Sequence, residues 1–175
     1  GASTTVAFTS ATLASTPVYV RFTPQSVGPK SGNVSIIGGG VTVAVTVAVS
    51  GNGITAAGPA VTFSPASLTG FGPVCLNTTA GPNSFTINGT NLTAADLVVG
   101  PLAGYTFSSN SGGPFTASLN ITHPAGAYTG DVFVNFTPTA VQSYNGSINV
   151  SGGGLTTAAT INVTGSGISG APTVS

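Results

Sequence analysis

The side chains able to do acid–base or nucleophilic chemistry are few. The chain has one histidine (His123), one cysteine (Cys75), two aspartates (Asp96 and Asp131) and no glutamate among its 175 residues. A nucleophilic centre needs a nucleophile beside a base, with a third group orienting the base. Ser and Thr together number 47, so a hydroxyl near His123 carries no information, and Asp131 as third member has no further support. His123 precedes Pro124 and reads as a solvated loop residue. One His and one Cys do not fill the four positions of a zinc site. Two aspartates are too few for a helix–loop–helix calcium loop, which leaves only a site of backbone and Asn oxygens. As a glycosidase acid pair, Asp96 and Asp131 have nothing beyond their number. Cys75 has no partner within the chain. It reads as a small half-buried hydrophobe, with an intermolecular disulfide as the alternative. The expectation is no enzyme, no cofactor and no metal.

Two glycine patterns resemble phosphate sites. "GSGISG" (Gly165 to Gly170) has the letters of a dinucleotide fingerprint, but that chemistry needs a helix directly after the glycines, and "APTVS" follows. The triple glycines Gly38–Gly40 and Gly152–Gly154 lack both a following helix and a nearby cation, so a hairpin turn is preferred over an anion nest. A third pattern is stronger. Asn-x-Ser/Thr occurs at Asn33, Asn77, Asn88, Asn91, Asn120, Asn135, Asn145, Asn149 and Asn162, nine of the twelve asparagines. These are candidate N-glycosylation positions. A competing explanation is geometric: on a strand, positions i and i+2 share a face, so an outward Asn is often followed by an outward Ser or Thr.

Charge narrows the partners. Charged residues make up 2 % of the chain, against roughly 25 % in ordinary soluble domains. They are Arg21, Lys30, Asp96 and Asp131. Phosphate backbones are bound by several Lys and Arg, so nucleic acid is excluded as a partner. The same lack excludes attraction to an anionic membrane surface. The most apolar run, "VTVAVTVAV" (Val41 to Val49), is too short to span a bilayer, so no transmembrane segment is expected. No signal-peptide pattern is visible and the sequence does not begin with Met, as expected of a mature protein or a window from a longer one. A surface without interspersed charge stays dispersed under a glycan coat, or it is built to self-associate. The Thr-, Ser-, Asn- and Gly-rich composition points to an extracellular or cell-surface location.

The chain repeats itself. Val18 to Ile54 aligns without a gap to Val132 to Ile168, an offset of 132 − 18 = 114. Phe22-Thr23-Pro24 matches Phe136-Thr137-Pro138, and Gly51, Gly53 and Ile54 match Gly165, Gly167 and Ile168. The charges are not repeated: Arg21 is matched by Asn135 and Lys30 by Tyr144. With one deletion, Pro59 and Val61 match Pro172 and Val174. The parse is residues 1–54 as the later half of one unit, 55–168 as a complete unit and 169–175 as the start of the next. The paired Gly51, Gly53, Gly165 and Gly167 are candidate joints between units.

The elements that carry this plan are strands. Val occupies every odd position of Val41 to Val49, the period of a strand with one buried face. "DVFVNF" (Asp131 to Phe136), "GSINVS" (Gly146 to Ser151) and Leu155 to Thr164 alternate similarly. Further strands are expected at Val61 to Ser64, Ser84 to Asn88, Leu97 to Val99, Tyr105 to Ser108 and Ser118 to Ile121. Gly-, Pro- and Asn-rich turns separate them. Only "LTAADL" (Leu92 to Leu97) suggests a helical turn. The predicted class is all-β, with immunoglobulin-like sandwich repeats of about eight short strands per complete unit and no significant helix.

The run F-T-P-x-x-V-x-x-x-x-G-x-(I/V), followed by strand, Gly-rich turn, strand and V-x-G-x-G, resembles the tandem sandwich repeats of large bacterial surface proteins. Such repeats occur in adhesins secreted by the type IX system, and they are similar to Hydin-like and choice-of-anchor modules. "FSPASLTGF" (Phe63 to Phe71), "SFTINGTNLTA" (Ser84 to Ala94) and "AGYTFSSNSG" (Ala103 to Gly112) fit the same pattern. The chain departs from antibody-type domains in having no Trp and no cysteine pair. The resemblance implies a spacer, stalk or binding surface and carries no catalytic residue over. The expected function is a structural segment of an extracellular filament, stalk or adhesin. Its partners would be other copies of itself, neighbouring repeats of one long chain, and surface glycans. One alternative is a carbohydrate-binding module using Tyr105 and Tyr128. Another is a pilus-like subunit completed by strands from a neighbour. Because Val41 to Val49 is long and unguarded by charge, it is expected to be paired on both sides.

Overall fold

The computed structural model describes residues 3–9 and 11–170. Their contacts divide the chain into two units, Gly1–Ala56 and Ala57–Ser175. No helix is present among the described residues. Leu92 to Leu97 forms strand ends and a bend rather than a helical turn. Pro172 and Val174, which carried the expected third start, lie outside the described residues.

The first unit contains one hairpin, β1 (Gly28–Gly38) and β2 (Val41–Gly53). The strands are antiparallel, with Val34 opposite Val47 and Ile36 opposite Val45. The turn needs glycine: Gly38, Gly39 and Gly40 have φ of +99°, +59° and +84°, a region that L side chains resist. Residues 11–27, ahead of the hairpin, form no strand.

Among the described residues the second unit has eleven strands. They are β3 (Ala60–Ser64), β4 (Ser67–Leu68), β5 (Pro73–Cys75), β6 (Ala80–Leu92), β7 (Leu97–Val99), β8 (Tyr105–Ser108), β9 (Leu119–Ile121), β10 (Gly126–Phe136), β11 (Gly146–Gly152), β12 (Ala159–Val163) and β13 (Ser166–Ile168). One sheet has the order β3-β6-β10-β8 and another the order β4-β12-β11-β7-β9. A short parallel pair, β13-β5, stands beside them. Alternation puts Phe85, Ile87, Val132, Val134 and Phe136 on the inner face of the first sheet. Leu97, Val99, Ile148, Val150, Ile161 and Val163 line that of the second. All belong to one core and are essentially inaccessible. Two sheets burying one face each against a shared core is a sandwich-like arrangement.

An aromatic group closes one part of this core. Phe136 stacks on Tyr105 at 4.8 Å, and meets Phe71 at 5.7 Å and Tyr144 at 5.3 Å edge-on. Phe71 and Tyr105 are 5.6 Å apart. Such edge and offset contacts suit the ring quadrupoles.

Candidate functional site: a hairpin built twice

The offset of 114 found in the sequence is also an offset in hydrogen bonding. In the second unit Gly146 pairs with Val163, Ile148 with Ile161 and Val150 with Ala159. In the first unit the matching pairs are Gly32 with Val49, Val34 with Val47 and Ile36 with Val45. Subtracting 114 from each number converts one set into the other. The turn repeats as well: Gly152, Gly153 and Gly154 have φ of +86°, +57° and +80°.

The packing beneath the hairpin repeats with it. A Cβ on Gly165 would lie 2.9 Å from the Phe136 ring, and one on Gly51 would lie 2.8 Å from the Phe22 ring. A Cβ on Gly167 would lie 2.8 Å from Pro138 Cβ and strike the Ala140 carbonyl oxygen. A Cβ on Gly53 would lie 3.0 Å from Pro24 Cβ and strike the Ser26 carbonyl oxygen. Phe-Thr-Pro and Gly-x-Gly are therefore two halves of one contact. The Phe ring and the Pro occupy space that only glycine leaves free on the returning strand. Gly51 and Gly53 lie on β2, Gly165 lies between β12 and β13, and Gly167 lies on β13, each packed against its own unit.

One feature of the second unit is absent from the first. The Tyr144 hydroxyl accepts hydrogen bonds from the amides of Thr139 (3.0 Å) and Ala140 (2.9 Å). The Tyr105 hydroxyl donates to the Tyr144 carbonyl at 3.0 Å. Burial pushes the Tyr105 hydroxyl up to about 12. Hydrogen bonding, first from the Thr139 side chain, lowers Tyr144. The match to Tyr144 in the first unit is Lys30, which cannot make the same corner. Only the apolar change of residue type at this position signalled it in the sequence.

The environments of the two hairpins differ sharply. In the second unit β11 pairs with β7, β12 with β4 and β13 with β5, and the first sheet covers the inner face. Ile148, Val150 and Ile161 are 0 % exposed. In the first unit the matching Ile36 and Val47 are 54 % and 52 % exposed, with Val41, Val43, Val45 and Val49 also open. Here β2 pairs with β1 alone among the described strands, where pairing on both sides was expected.

The reactive residues do not assemble. Among the described residues no three of His, Cys, Asp and Glu gather as a metal-binding group. His123 is buried at 5 % exposure, which corrects its placement as a solvated residue. Its ring lies against Tyr128 at 5.3 Å, Nδ1 is 2.8 Å from the Pro124 carbonyl, and Nε2 has no protein partner. Asp131 accepts from the Thr86 hydroxyl at 2.7 Å on the outer face, and Asp96 is exposed. Cys75 is half-buried on β5. Two shallow depressions of about 240 and 250 Å³ are present. One is lined by residues such as Gly72, Asn145 and Ser166, and the other by residues such as Pro59, Leu155 and Thr157. Neither contains a titratable side chain.

The Asn-x-Ser/Thr positions fall into kinds. Asn77 and Asn91 are exposed at positive φ, 58° and 53°. Asn33, Asn120, Asn149 and Asn162 face outward from strands, and Asn162 accepts from Ser147 at 2.9 Å. Asn145 is exposed and accepts from the Gly165 amide at 3.0 Å. Asn88 and Asn135 are half-buried, and the Asn135 Oδ1 is enclosed without a partner. Of the tyrosines offered for sugar stacking, Tyr105 is in the core at 2 % exposure and Tyr128 is half-buried against His123.

No protein-family model matches the chain, and no curated protein sequence does.

Proposed function

We propose that the chain is a structural segment of an extracellular filament, stalk or surface adhesin, built from immunoglobulin-like sandwich units. The observation that carries this reading is the duplicated hairpin, with one register and one set of glycine contacts at a constant offset of 114 residues. Evolution of a site preserves reacting groups. What is preserved here is the packing of Phe, Pro and Gly, while the charged positions change. Repeat architectures keep the residues that let each unit fold and pack, and vary the rest. The nearly uncharged surface fits a chain whose neighbours are its own kind, with exposed Asn-x-Ser/Thr positions available for glycans. The bacterial tandem-repeat resemblance on F-T-P-x-x-V and V-x-G-x-G supports the same reading. The carbohydrate-binding alternative loses Tyr105 to the core.

Electron microscopy of the native material tests it. The longest strand of the complete unit, β6, has 13 residues, or about 43 Å at ~3.3 Å per residue. Rods with an axial repeat of that order are expected. Compact particles the size of one or two units, with no axial repeat, would rule it out.

A further inference from the structure

We infer that the open face of the β1–β2 hairpin binds the front half of a further sandwich unit, a polypeptide segment with the pattern of Ala60–Ile121. The inference rests on the repeat-unit reading above, but not on the location of the protein or on filament formation.

The occupant is identified by the second unit. There the same hairpin is covered by strands that precede it: β7 pairs with β11, β4 with β12 and β5 with β13, while β3, β6 and β8 belong to the facing sheet. That cover takes Ile148, Val150, Ile161 and Val163 to 0–1 % exposure. The first unit presents the matching face, Val34, Ile36, Val47 and Val49, in the same register and with the same Phe and Pro contacts. Val18, Val20 and Phe22 match Val132, Val134 and Phe136 of β10; they are 53 %, 61 % and 49 % exposed and form no strand. Residues of strand type thus lack the partners that order their counterparts.

The tip of the hairpin shows the vacancy in detail. A Cβ on Gly153 would meet Leu97 and Leu92 side chains from the front half. A Cβ on Gly39 would meet the ring of Phe8, at 2.9 Å. Phe8 stands in for leucines that a front half would supply.

Two other occupants fit less well. The front half of a second intact copy has β4, β5 and β7 already bonded to its own β12, β13 and β11. Edge-to-edge pairing of two β2 strands would satisfy backbone groups but leave the valine face in water, because only a second layer covers a sheet face.

The test places a copy of residues 55–121, which carries β3 to β9, ahead of Gly1 of the full chain, and follows amide hydrogen exchange. Val41 to Val49 should exchange at least about a hundredfold more slowly than in the unextended chain, approaching Ile161 and Val163. Val47→Asp in the extended chain should abolish that protection and leave the second unit protected. Unchanged exchange at Val41 to Val49 in the extended chain would overturn the inference. The unextended chain supplies a second check that does not depend on the extension folding. Its Val41 to Val49 exchange should be fast at every protein concentration, and protection that grows with concentration would name a second copy as the occupant instead. Rods by electron microscopy with no protection in the extended chain would reject this occupant and keep the filament reading. Protection without rods would do the reverse.

Discussion

Gly167→Ala should be among the most damaging small substitutions in the chain. Gly167 is buried on β13, where its amide donates to the Gln142 carbonyl at 2.9 Å. An added Cβ would be 2.8 Å from Pro138 Cβ and would strike the Ala140 carbonyl. Comfortable carbon–carbon separations are about 3.5–4.0 Å, so β13 must retreat by ~0.7 Å or more. Neither neighbour is a flexible side-chain end, so both the β13–β5 pairing and the Gln142 bond are disturbed. Overpacking costs about 1–3 kcal/mol and a weakened hydrogen bond a further ~0.5–1.5 kcal/mol. The expected loss is therefore about 2–4 kcal/mol. Urea unfolding of the full chain, followed by tyrosine fluorescence, measures it. Gly112→Ala is the control, because a Cβ there meets nothing within 4 Å; it should change stability by less than about 0.5 kcal/mol. Equal midpoints for the two variants would refute the close-approach account of the Gly-x-Gly motif.

Two further outcomes follow from the same structure. Tyr105, pushed up to about 12 from 10.0 by burial, holds its proton in the folded state after the unfolded chain has released it. Its contribution is complete below pH 10 and is lost as pH rises toward 12, so Tyr105→Phe should unfold less steeply with pH across that window in alkaline titration followed by circular dichroism. Intact-mass and glycopeptide measurement of the native protein should find glycans at exposed positions such as Asn77, in a turn, and Asn91, near the end of β6, and none at Asn135, which is half-buried on β10. A mass equal to the bare sequence would remove glycans from the account.

Periodicity made much of this fold legible. Leu97–Val99 and Tyr105–Ser108 are strands at the bounds that alternation gives, and Val41 to Val49 begins β2 where expected. The three strands that escaped, β4, β5 and β13, have two or three residues and lack the apolar residues at both ends that marked Leu97–Val99. Their place is set by parallel pairing with distant segments, which no local pattern encodes. β6 outruns Ser84 to Asn88 at both ends because its partner β10 is long, despite Gly81 and Pro82 near its start. His123 was misplaced for a similar reason. The following Pro signals a loop correctly, but the Tyr128 ring that encloses it comes from β10. The repeat was fully visible as letters. What the letters did not say is that Phe-Thr-Pro and Gly-x-Gly touch each other, so that the glycines mark a packing contact within each unit.

Deuterium uptake along Val41 to Gly53 in the native material tests the central claim most directly. If the chain is a segment of end-to-end sandwich units, this strand is covered in the assembled state and should exchange as slowly as Ala159 to Val163 in the second unit. Uptake there as fast as in a free peptide, with Ala159 to Val163 still protected, would contradict it.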